Sequence, residues 1–225
     1  MIVNLVIYSV IWFVLFFLLK LIPSKYLVSA NQRNNAVVVI HAIYCSVFTL
    51  IYFTFFQPMT DYVSPQNWVT SQFLTIAGAF YIFAIAIMFF LGRKMDWFTV
   101  FHHVILALFI SYFLYNNELP AYYTIIAFFI LPGIFYNSFL VYKESEGYDK
   151  EFAKQLFRWN ALSWLLIRIL LFAVFILYAL YCEWLEVNPK TLPYRYVLFS
   201  VLITFCFFSS YYYVFIRKKL KAMER

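Results

Sequence analysis

The side chains best equipped for chemistry are two adjacent histidines, His102 and His103, one to two turns into an almost unbroken apolar run from Trp97 to Tyr115. At neutral pH an imidazole can take or give a proton, attack as a nucleophile or ligate a metal. In hydrocarbon it must find a partner, so the pair has to face protein, a cavity or a ligand. Asp96, Thr99 and His103 are spaced three and four residues apart, which lays a carboxylate, a hydroxyl and an imidazole along one helical stripe. On that stripe His103 is a candidate general base, with Asp96 orienting it through Thr99. His102 points about 100° away.

Four other strongly polar groups stand in the same half of the bilayer within apolar runs: His41, Asn137, Asn160 and Arg168. Arg168 is the most expensive, at about 2.5 to 3.5 kcal/mol for a helix centre on the lenient insertion scale. It has three candidate partners. Trp164, one turn earlier, can stack on the guanidinium; backbone carbonyls near Pro132 can accept its protons; a bound lipid headgroup or acyl carboxylate can neutralise it. His41 alone reads as an interhelical hydrogen-bond group or as part of a binding site.

These residues need scaffolding, and the composition says of what kind. The 225 residues are 65% hydrophobic and 12% charged, far from the quarter of charged residues typical of soluble domains. The chain therefore belongs in a bilayer. The expected fold is all-α integral membrane, with seven transmembrane helices of the length needed to cross about 30 Å of hydrocarbon. The apolar runs are 2–22, 36–56, 68–91, 97–115, 121–142, 159–182 and 196–216, the fifth bent or broken by Pro132 and Gly133. The first lacks a basic leader and a small-residue cleavage site, and is read as a retained span. Residues 24–35 are expected to form a polar loop, and 143–158, with charges of both signs, a solvated helical connection.

No cofactor or metal is expected. Neither a Gly-rich phosphate loop nor a C-x-x-C pair occurs, and Cys45, Cys182 and Cys206 are scattered through apolar runs. The net charge of +7 is not a nucleic-acid signal, because of where it sits. Fourteen of the 17 Lys and Arg residues fall in the loops after spans one, three and five, in the C-terminal tail or, for Lys20, at the loop end of span one. Only Lys190 and Arg195 fall on the opposite side, with Arg168 inside span six. That asymmetry puts the C-terminus on the cytosolic side, or on the matrix side of a mitochondrial inner membrane. At 1.5 Å per residue, His41, His102 and His103 then lie roughly 9 Å from the basic face, with Asn137, Asn160 and Arg168 converging on the same half of the bilayer. Convergent polar groups in an apolar bundle make a binding-site hypothesis, and its residues are His41, Asn137, Asn160, Trp164 and Arg168 beside the His pair.

Asn35 with His41 early in one span, Arg93 to Asp96 shortly before the His pair, Asn137 late in the next span and Leu165-Leu166-Ile167-Arg168-Ile169 in the sixth form a pattern. It resembles the TLC domain shared by translocating-chain-associated proteins, ceramide synthases and related membrane proteins. The resemblance implies residues 33–225 as a six-helix barrel around a lipid-accessible cavity, with residues 1–32 as an added N-terminal helix and loop. It also implies the endoplasmic reticulum, where most members reside. In the ceramide synthase branch the His pair works with downstream aspartates in fatty acyl transfer. Those aspartates are absent here, and Leu131 and Pro132 stand where many relatives have a glutamate.

The expectation is a protein that binds or handles a lipid in an intramembrane cavity, its headgroup near His102, His103 and Arg168. Whether His102, His103 and Asp96 also catalyse a reaction stays open. The alternative is a non-catalytic subunit of a large membrane complex that reuses the scaffold. Expected partners are membrane lipids or other subunits, not nucleic acid.

Overall fold

The computed structural model describes residues 2–55, 67–91, 97–116, 128–181 and 195–224. Helix α1 (Ile2–Leu18) ends in a single 3₁₀ turn, Leu19–Leu21, and is followed by α2 (Ala30–Phe55), α3 (Trp68–Phe90), α4 (Trp97–Asn116) and α5 (Pro132–Lys143). A long composite helix comes next: α6 (Lys150–Ser163), a π-helical stretch (Trp164–Leu171) and α7 (Phe172–Leu180). Helix α8 (Arg195–Glu224) closes the described chain, and no strand occurs among the described residues. Four stretches, Val3–Leu21, Ala30–Tyr52, Trp68–Phe90 and Lys150–Tyr178, are long and apolar enough to cross a membrane, and a shorter apolar helix covers Thr99–Tyr115. The expected fifth span is described only from residue 128 onward.

The outer helices bury one stripe and turn the rest outward, whereas α3 is buried on most of its faces. On α1, Leu5, Ser9, Trp12, Phe16 and Leu19 are buried at spacings of three and four, while Val3, Ile7, Val10 and Val14 are exposed. An aliphatic outer face is what a lipid solvent selects.

Helix α3 is the hub for α1 and α4. Its Ala77, Gly78 and Ala79 are small enough to let backbones approach closely. A Cβ on Gly78 would lie 2.9 Å from Ile110 Cγ2 and 3.3 Å from Leu5 Cδ2. Polar groups tie the same seam: the Tyr8 hydroxyl donates to Gln72 Oε1 (2.6 Å), Ser9 Oγ to the Ala79 carbonyl (3.2 Å) and Trp12 Nε1 to the Ile76 carbonyl (3.2 Å). A second layer packs α2 on α5, α5 on α6, and α8 on α6 and the π stretch.

Two expectations about boundaries need correcting. The polar loop stops short of Asn35, because α2 begins at Ala30. Ser29 N–H donates to Gln32 Oε1 (2.8 Å) and Gln32 N–H to Ser29 Oγ (2.9 Å), a reciprocal cap that starts the helix inside polar sequence. Within residues 143–158, the helix starts only at Lys150. Asp149 Oδ1 caps it by accepting from the N–H groups of Glu151 and Phe152, after a turn at Gly147 with φ +65°.

Candidate functional site

On α4 the two histidines look in different directions, as consecutive helical residues must. His103 turns toward α3, its ring 5.6 Å from that of Tyr81. Its Nδ1 is buried and meets no hydrogen-bonding group. Beyond Tyr81 lies His41 of α2, fully buried and stacked on Phe80 at 3.7 Å, with Trp12 and Tyr81 set edge-on to it at 5.7 and 5.6 Å. Cys45 Sγ, one turn further along α2, is 3.6 Å from His41 Nε2. His41 and His103 are within electrostatic range of each other, so the three histidines and Tyr81 form a continuous group across α2, α3 and α4. Among the described residues no group of three or more His, Cys, Asp and Glu side chains is placed to hold a metal ion.

His102 turns the other way, toward α8. Its ring is edge-on to Phe208 at 6.4 Å, and it forms one end of a cavity of about 500 Å³ between α4 and α8. The cavity follows α4 from His102 to Tyr112, about 15 Å at the helical rise. Leu106, Phe109 and Phe205 make apolar walls, and Leu108, largely exposed, marks an opening toward the surrounding lipid.

Arg168 stands beside the His102 end, within electrostatic range of that ring. Trp164 and Phe205 flank its guanidinium at 4.6 and 4.8 Å, and Phe205 also lines the cavity. Trp164 is itself pinned by a hydrogen bond from Nε1 to the Ser209 carbonyl (2.9 Å). Arg168 Nε donates to the carbonyl of Phe129 at 2.6 Å. That carbonyl is free for a local reason. Pro132 has no N–H, and Gly133 N–H bonds the Ile130 carbonyl (2.7 Å) rather than reaching back to Phe129. The π-helical stretch around Arg168 is the kind of widened turn that recurs where a side chain must be re-aimed.

The other residues singled out from the sequence fall elsewhere. Asp96 lies outside the described residues, so its stripe with Thr99 and His103 has no described carboxylate. Asn137 spends its Nδ2 on the Gly133 carbonyl of its own helix (2.7 Å). Asn160 is fully buried in the α6 core, with neither amide atom hydrogen-bonded. The cavity lining includes neither asparagine, nor His41, His103 or Trp164, and Arg168 lies behind Phe205 rather than in the lining itself.

Sequence reasoning missed Tyr81, Phe205 and Trp12. Tyr81 had a usable signal: it sits about 14 Å from the Phe90 end of α3, too deep for an interfacial belt tyrosine. Trp12 lies in the helix read as a mere prefix. Phe205 carries no signal among 29 phenylalanines.

A family model for the TLC domain matches residues 31–218. No curated protein and no solved structure matches the chain.

Proposed function

Because the chain belongs to the TLC domain family and its helices make it a polytopic membrane protein, we propose that it holds a lipid acyl chain in the cavity between α4 and α8. The observation that carries this reading is the cavity itself. Its volume of about 500 Å³ is that of a ligand site, its walls are apolar, and its one strongly polar end is His102 with Arg168 close by. An opening at Leu108 gives lateral access from the membrane, so the ligand need not cross water.

In this reading seven spans cross the bilayer and the six from α2 onward form a barrel, two of which, α4 and α8, line the cavity. The C-terminal tail, with five basic residues from Arg217 on, faces the cytosol or the matrix. The endoplasmic reticulum is the proposed compartment and the mitochondrial inner membrane its alternative. In this reading the protein retains or presents the lipid; the carboxylate that the sequence sets on the stripe of His103, Asp96, lies outside the described residues.

The test is native mass spectrometry of the protein extracted gently from its own membrane, compared with Thr204→Trp, which fills the cavity from α8. A defined acyl lipid on the wild type, lost in the variant, supports the reading. Unchanged lipid content, or a stoichiometric place in a larger assembly that the variant leaves intact, overturns it in favour of a structural subunit.

A further inference from the structure

The cavity's polar end is built for charge, which carries the lipid-holding reading one step further and rests on it. A guanidinium has five N–H donors and no acceptor. In Arg168 the Nε donor goes to the Phe129 carbonyl, and aromatic rings cover the flat faces. Among the described residues no other group accepts a hydrogen bond from it. Among the described residues the edge carrying the two Nη groups is therefore uncommitted.

The charge is uncommitted too. All ten acidic residues of the chain fall outside the interiors of the apolar runs, and among the described residues no carboxylate pairs with Arg168. Tyr81 and Tyr212 are within electrostatic range, but a phenol is neutral at physiological pH. Rings and one carbonyl anchor the cation without cancelling it. An arginine kept in a bilayer this way is matched to a planar anion, since its fork pairs bidentately with carboxylate or phosphate. His102 stands at the same end of the cavity and offers a second donor from its ring N–H.

We propose that the cavity is selective for an anionic lipid, whose carboxylate or phosphate oxygens are bound by the Nη groups of Arg168 and by His102 while its chain runs along α4 toward Tyr112. The polar head then lies in the basic half of the bilayer and the tail points to the opposite face. Phe205, which touches both the guanidinium and the cavity, is the hinge between head and tail subsites.

The experiment uses the full chain in nanodiscs of phosphatidylcholine and measures binding of radiolabelled oleate and of oleyl alcohol, which has the same chain and no charge. The wild type is expected to bind oleate at least tenfold more tightly. Arg168→Gln should lower oleate to the level of the alcohol without changing the alcohol, and Arg168→Lys should recover only part, because it keeps the charge and loses the fork. Lysophosphatidate and inorganic phosphate serve as competitors. Displacement of oleate by lysophosphatidate alone marks a lipid site that takes phosphate, no displacement by either marks a carboxylate site, and displacement by inorganic phosphate as well overturns the lipid-specific assignment. Equal binding of oleate and oleyl alcohol to the wild type overturns the charge selectivity but leaves the lipid cavity standing. Binding of neither overturns both. The oleate to alcohol ratio is read on the wild type, so the proposal stays testable even if Arg168→Gln does not fold.

Discussion

Arg168 and Phe129, 39 residues apart, are joined by a 2.6 Å hydrogen bond from a guanidinium Nε to a backbone carbonyl. Pro132 makes the bond available by interrupting the helical ladder, and the π-helical stretch aims the arginine at it. A helix break on one span and a wide turn on another thus solve one problem, the desolvation of a cation. Neither feature is a defect to be repaired.

Gly78→Ala should destabilise the protein by about 1 to 3 kcal/mol, the usual cost of overpacking. The new methyl would meet Ile110 Cγ2 at 2.9 Å, on a β-branched side chain that cannot swing aside. Thermal unfolding in detergent measures the loss. Ile110→Ala in the same background should return part of it, and a double-mutant cycle with no coupling would contradict the contact.

His41→Ala should cost about 3 kcal/mol, as for other buried rings cut back to a methyl, because it empties the space between Phe80, Trp12 and Tyr81. Bound lipid is expected to stay at the wild-type level, since His41 does not line the cavity. Lipid loss at unchanged stability would return His41 to the binding site.

Asn160→Leu is expected to stabilise the fold by about 1 to 3 kcal/mol, the penalty of a buried polar group with no partner. The amide is fully buried, and both its polar atoms lack hydrogen bonds. Denaturation of the two proteins under one condition decides it. A less stable variant would mean that the amide is satisfied by a bound molecule.

Beyond the apolar part of α8, Lys219 rests over the rings of Tyr136, Phe139 and Phe157, and burial together with the nearby Lys143 charge lowers its pKa. A lysine whose folded pKa is below its unfolded one weakens the fold while both states are protonated, and the penalty lifts as pH rises through the folded pKa toward the unfolded value. Lys143→Gln should raise the Lys219 pKa by removing the repulsion. The pH dependence of its reductive methylation reports this; an unmoved profile would leave burial as the whole cause.

The elements were readable to different degrees. Residues 68–91 and 97–115 were read almost to the residue, because bare apolar runs have polar ends that coincide with the helix ends. Helix α2 was not, since a Ser29 and Gln32 cap lets a helix begin in sequence that hydropathy counts as loop. Trp164 as a ring for Arg168, and a carbonyl near Pro132 as its acceptor, could be anticipated from spacing and from proline chemistry. Phe205 on the other ring face could not, because 29 Phe and 20 Tyr look alike to a hydropathy pattern.

By itself the sequence determined that this chain lives in a membrane, where its apolar runs lie and which side chains cannot be left facing lipid. Those follow from transfer free energies, which depend on residue type and depth alone. Adjacency on a helix already set His102 and His103 about 100° apart; only the tertiary structure decided which neighbourhood each serves, Tyr81 for His103 and a cavity near Arg168 for His102. That choice depends on how each helix is rotated about its axis. Rotation is set by the fit of small residues such as Gly78 against Ile110 and Leu5, a property of the packed bundle and not of any single span.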